Sequence, residues 1–145
     1  MFDNLLQLVR DNAGSAIINN SAIPNEHNDA AIATAAIGIM NHLKGLVNND
    51  GVEALSSLFQ NNTTHQHAVV ADMTTTIAGN LMHKFGLNTH QASGVVNNLI
   101  PQVMNQFVHK TNDPNDQSFD IQSIIGSLSG GDGLGDVMKT VKGLF

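Results

Sequence analysis

The stretch VVADMTTTIAGNLMHKFGLNTHQASGVVNNLIPQVMNQFVHK, residues 69–110, decides the fold. From Thr89 onward it sets Ala92, Val95, Val96, Leu99, Ile100, Val103, Met104, Phe107 and Val108 at steps of three and one. That spacing is the broad apolar face of a helix. Its first half carries Val70, Met73, Ile77, Leu81 and Phe85 on a comparable stripe. Between the halves, Gly86 can adopt the left-handed conformation that ends a helix, and Asn88 or Thr89 can cap the next one. The stretch therefore predicts a helical hairpin turning at Gly86.

Pro101 tests that reading. It has no N–H for the carbonyl of Asn97, its ring crowds the preceding turn, and an interior proline costs about 3 kcal/mol. Burying each large apolar side chain nearby stabilises by roughly 1.5–3 kcal/mol, so the run from Val95 to Phe107 outweighs the proline. One kinked helix is expected, not two helices.

Upstream of the hairpin, Phe2, Leu5, Leu6 and Val9 predict a short amphipathic helix over residues 2–11, with Asp3 and Arg10 placed to suit its dipole. Residues 13–23 have room for one more helical turn before Pro24 forces Ile23 out of helical geometry. A start signal follows, with Asn25 or Asn28 as cap and Glu26 and Asp29 in the first turn. The helix expected over about residues 26–47 turns Ile32, Ala36, Ile37, Met40 and Leu43 inward. It also carries Ala30, Ala31, Ala33, Ala35 and Gly38, small residues that let neighbours approach on several faces and mark it as central. Asp50 with Glu53 forms a capping-box pattern for a further short helix, with Val52, Leu55, Leu58 and Phe59 on its buried side. A weak echo at a shift of 41 aligns Met40–Phe59 with Leu81–Ile100, each copy reading helix, Gly-Leu turn, helix.

Downstream, residues 111–117 (TNDPNDQ) form a turn-rich linker. Phe119, Ile121, Ile124, Ile125 and Leu128 then predict a short helix, with Asp116 or Ser118 as its cap. Residues 129–135 (SGGDGLG) are a flexible tether, and Leu134, Val137, Met138, Val141 and Leu144 form a last amphipathic helix. The whole is an all-α, compact multi-helix bundle of about six to eight helices around the central hairpin. Residues 1–128 are one domain, and 129–145 a glycine-rich tether with a short C-terminal helix.

The bulk composition narrows the function. A chain of 145 residues with 41% hydrophobic content is long enough for a real core. Charged residues make up 12%, against about 25% in typical domains, so Asn, Gln, Thr, Ser and His supply most of the polar surface. Such a surface loses less hydration on meeting another protein. The net charge is −6, and the basic residues Arg10, Lys44, Lys84, Lys110, Lys139 and Lys142 are scattered. No face gathers the cations a phosphate backbone demands, which argues against nucleic acid. The absence of cysteine removes disulfides, thiolate metal sites and cysteine nucleophiles. MFDNLLQLVRDN at the start has no apolar core of signal-peptide length, and the least polar run, Ala30–Met40, is short of a membrane span. A cytoplasmic setting without stable membrane insertion is the expectation.

The candidate chemistry is thin. Seven histidines stand at positions 27, 42, 65, 67, 83, 90 and 109. His65-Gln66-His67 has ligand-like spacing, but a metal site needs a third donor. His83 and His90 flank the Gly86 turn with no acid nearby in sequence to orient them. Asp113, Asn115, Asp116 and Asp120 have the composition of a calcium loop without its glycine and its terminal glutamate, and turn chemistry accounts for them. SGGDGLG lacks the Gly-Lys-Ser/Thr of a phosphate loop. Asp72, Glu26 and Glu53 read as helix-start charges. No catalytic, cofactor-binding or metal residue is assigned, and no cofactor is expected.

LMHKFGLNTHQASGVVNNLIPQVMNQF, residues 81–107, resembles the core signature of the YidB-like bacterial proteins, a family of unknown function. Lys84, Gly86, Thr89, Ala92, Ser93, Leu99 and Pro101 stand where that family has its turn, threonine-rich cap, Ala-Ser pair and proline-interrupted helix. NAGSAIINNSAIPNEHNDAAI (12–32) and KTNDPNDQSFD (110–120) are similar to a branch of it. The resemblance implies an all-helical bundle in a bacterial cytoplasmic protein and carries no known catalytic residues. Together these readings point to a non-catalytic interaction or scaffold domain, not an enzyme, whose partner is itself or another protein. The alternative is a helical bundle that binds a small ligand or metal ion through its histidines.

Overall fold

Gly86 turns the chain as its sequence requires. Its φ is +69°, and its N–H donates to the carbonyl of Met82 at 3.0 Å, closing the preceding helix with a left-handed cap. The structure, a computed structural model, describes residues 2–50, 63–111 and 113. The fold is all-α: the described residues form α1 (Phe2–Asp11), α2 (Asn28–Asp50), α3 (Thr63–Phe85) and α4 (Thr89–Thr111), and contain no strand. A π-helical turn at Gly14–Ile18 and a 3-10 turn at Asn25–His27 link α1 to α2.

The hairpin is α3 and α4, packed along each other. Asn88, the first of the two capping candidates, starts α4. Its Oδ1 accepts from the N–H of Gln91 at 2.7 Å, while Oε1 of Gln91 accepts from the N–H of Asn88 at 3.0 Å. This reciprocal box satisfies two of the donors that a helix start leaves open. Helix α4 buries the nine residues its periodicity selects, from Ala92 to Val108. It also runs unbroken through Pro101. Pro101 and Asn97 are both exposed, so water can satisfy the carbonyl that the proline leaves without an N–H.

Helix α2 packs against α1 and α3, and α4 against α3 and α1, so the four helices close a ring. The π-helical turn fills one end, packing on α2 and α4. Every residue from Ala30 to Ala36 is buried, Thr34 included, its hydroxyl donating to the carbonyl of Ala30 at 2.8 Å. Seven consecutive buried positions leave no solvent face on that part of the helix, the central placement its small residues foretell. Ile37 is half-buried at the margin. At Gly38 the approach is closest: a Cβ there would lie 3.0 Å from Cδ1 of Ile77 and nearer still to Cγ1.

Several expectations need correction. Neither Asn25 nor Asn28 caps α2. Asn28 already has helical backbone angles (φ −59°, ψ −47°), Pro24 precedes the 3-10 turn without a side-chain cap, and Oδ1 of Asn28 has no hydrogen-bond partner among the described residues. Helix α2 also passes the expected end near residue 47 and runs to Asp50. Gly45 is therefore helical and lacks the positive φ of Gly86, so the Gly-Leu echo has no turn at this position, and Val47 continues the buried stripe. Arg10 does more than face its own helix end, since it pairs with Asp29 of α2 at 3.4 Å. Both side chains are substantially exposed, and such pairs contribute little.

The apolar run Ala30–Met40 lies within a longer helix. Helical residues 25–48 have the length to cross a bilayer, and their most apolar 18-residue window has a mean hydropathy of 1.3. Yet 61% of the apolar window is buried inside the fold, and a helix surrounded by its own bundle is apolar for that reason alone. The expected helix around Val52–Phe59, the linker from Pro114, the helix over 119–128 and the 129–145 segment lie outside the described residues.

Two measurements check this packing. Gly38→Val should lower unfolding free energy by about 1–3 kcal/mol, the usual cost of overpacking. Adding Ile77→Ala should recover part of that loss instead of deepening it, as read by urea midpoints. Asn88→Ala should cost about 0.5–2 kcal/mol in the same assay.

Candidate functional site

The residues with the best claim to chemistry are dispersed by the helices. His83 lies in the last turn of α3 and His90 in the first turn of α4, both exposed. His109 is exposed near the end of α4, and His42 is half-buried on α2. Residues 65 and 67 both fall within the opening turns of α3. The side chains of these two histidines lie outside the described ones. Among the described residues, no three His, Cys, Asp or Glu side chains gather closely enough to hold a metal. Of the calcium-like cluster, Asp113 alone is described; its N–H donates to the carbonyl of Lys110 at 3.2 Å, just past α4, which is turn chemistry.

One concavity joins distant parts of the chain. Ala22, Pro24, Glu26, His27, Ala30, Lys84 and Phe85 line an open groove of about 760 Å³. The 3-10 turn presents His27 to the end of α3, where its ring meets Phe85 at 6.0 Å between centroids, tilted by 49°. Nε2 of His27 lies 3.8 Å from Oε1 of Glu26, and both side chains are mostly exposed. Beyond Pro24 a shallower hollow of about 320 Å³ runs over residues 18–25, with Ile18 at its rim. Ile18 is 42% exposed. The groove offers an aromatic edge and an acid beside an imidazole, enough to seat a small amphipathic molecule. Among the described residues that line it there is no hydroxyl or thiol.

The more extensive surface is polar and uncharged. On α4 the exposed positions are Thr89, His90, Gln91, Gly94, Asn97, Asn98, Pro101, Gln102, Asn105, Gln106 and His109. Gln106 shows what such amides do when they find one another. Its Nε2 donates to Oδ1 of Asn12 at 3.0 Å, and Nδ2 of Asn12 donates to its Oε1 at 3.1 Å. Asn12 also donates to the carbonyl of Leu8 at 2.8 Å, which fixes its amide at the end of α1. Sequence reading missed this pair and the His27–Phe85 contact. Neither leaves a periodic or motif signal, because the partners come from opposite parts of the chain.

No family model matches the chain, and neither a curated protein nor a solved structure shows significant similarity to it.

Isothermal titration with zinc or nickel checks the dispersal of the histidines. No saturable micromolar heat is expected. Micromolar binding lost on His65→Ala and His67→Ala would restore a histidine metal site.

Proposed function

We propose that the protein is a non-catalytic helical interaction domain that associates with copies of itself. The supporting observation is the exposed face of α4, which is built of amides and carries no charge from Thr89 to His109 in a chain of net charge −6. A charged surface resists association because each ion must shed water. An amide surface sheds less and regains hydrogen bonds in the complex. The apolar side chains of the four helices are already spent on the core, so a partner would meet polar and small residues.

The same proposal takes in the resemblance to YidB-like proteins and a bacterial cytoplasmic setting without nucleic acid or stable membrane insertion. Short helices over residues 52–59 and 119–128, with a last one over 134–144, would bring the bundle to six to eight, with α4 bent at Pro101. The final helix on its glycine tether would then reach a neighbour or dock on its own body.

A second reading draws on the groove at His27 and Phe85: a small-ligand site in a helical bundle, which is a common place for one. The groove is open and its polar groups are at the rim, so self-association is preferred.

Light scattering on the full chain and on a chain ending at Leu128 separates the possibilities. An oligomer is expected for the full chain. Retention of that state by the shortened chain would place association in the bundle, and its loss would place it in the tail. A compact monomer in both cases would remove the proposal.

A further inference from the structure

We propose that the groove between the 3-10 turn and the end of α3 binds a small α-amino acid with an apolar side chain. The ligand's ammonium meets Glu26, its carboxylate meets Lys84, and its side chain lies on Phe85. This gives a chemical class to the ligand reading above and is independent of self-association. The groove, about 760 Å³ in volume, falls within the roughly 300–1,000 Å³ usual for small-molecule sites.

Hydrogen bonds pin both walls without any help from a ligand. On one side the N–H of Ile23 donates to the carbonyl of Asn20 at 3.1 Å, and Oδ1 of Asn20 accepts from the N–H of Ala22 at 2.9 Å. The N–H of His27 then donates to the carbonyl of Pro24 at 2.8 Å, which closes the 3-10 turn. On the other side the cap of Gly86 on Met82 ends α3 directly after Phe85. Phe85 packs on the core and meets the ring of His27 at 6.0 Å, so the aromatic bed of the groove is already in place. A pre-formed site loses little affinity to ordering its own groups.

Charge decides the class of ligand. Ala22, Pro24, Ala30 and Phe85 supply an apolar bed, while the 3-10 turn brings one carboxylate, Glu26, and α3 brings one ammonium, Lys84. The Glu26 side chain is 77% exposed, with Oε1 at 3.8 Å from Nε2 of His27, so its oxygens are accessible to an ammonium. Lys84 is exposed as well. A ligand bearing only a carboxylate meets Glu26 as a like charge, and one bearing only an amine meets Lys84 in the same way. An amino acid presents both signs and sets each against its opposite. Selection therefore comes from repulsion of the singly charged analogues as much as from attraction.

Titration of the full chain, followed through the NMR signals of His27 and Phe85, tests the assignment. L-phenylalanine should shift both saturably at millimolar concentration. Phenylpropionate and phenylethylamine should each bind about two- to fivefold more weakly, the range for exposed ion contacts. Glu26→Gln should weaken phenylalanine by a similar factor and leave phenylpropionate as tight or tighter. Lys84→Gln should weaken phenylalanine and leave phenylethylamine as tight or tighter, while Lys84→Arg should keep the native order. Equal affinity for the three probes would reveal an apolar hollow only, overturning the amino-acid assignment while a ligand site stands. Absence of any saturable shift in the native chain would remove both, and self-association would be untouched.

Discussion

The close crossing of α2 over α3 at Gly38 and Ile77 is the constraint on which the rest depends. Interhelical distance is set by the side chains at the contact, and a missing Cβ lets the Ile77 side chain occupy the space directly over the α2 backbone. With α2 held that near, its alanines are buried on every side, and α1 and the π-helical turn can close over it. Widen the crossing and the small residues of α2 would leave gaps that no larger neighbour fills. Packing defects of that kind cost more than any single polar contact on this surface contributes.

Polar groups hold orientation in this molecule, and they are amides more than ions. Asn88 and Gln91 fix where α4 begins, Asn12 and Gln106 tie α1 to α4, and Oδ1 of Asn20 accepts from the N–H of Ala22 at 2.9 Å to set the turn toward Pro24. By contrast the Arg10–Asp29 pair is long and exposed. Neutral pairs each add only about 0.5–1.5 kcal/mol, but they require correct geometry. They define how elements meet while the apolar core supplies the stability.

Periodicity made the hairpin legible. On α4 the apolar positions named from spacing are the buried ones, residue for residue, because a long amphipathic helix has one way to hide that stripe. The end at Gly86 was legible for a different reason, since a left-handed residue between two apolar patterns has little else to do. Caps chosen by composition fared less well. Asn25 and Asn28 looked alike as caps, but the Pro24 turn delivers the chain to α2 already in helical conformation. The length of α2 was also hidden, because Gly45 is a stop signal only when a turn follows, and here Val47 remains buried. The candidate site was least legible of all. His27 meets Phe85, and Asn12 meets Gln106, through tertiary packing alone.

Low charge and abundant amides also bear on how strongly such a protein can associate. Each amide brought out of water must recover its hydrogen bonds, and one left unpaired costs about 1–3 kcal/mol. A surface of this kind therefore discriminates by register: one alignment pairs the amides, and a shifted alignment strands several of them. An apolar surface of equal size would associate in many registers, and a charged one would add salt-dependent steering. The exposed stripe of α4 is too polar for indiscriminate adhesion and too neutral for electrostatic attraction.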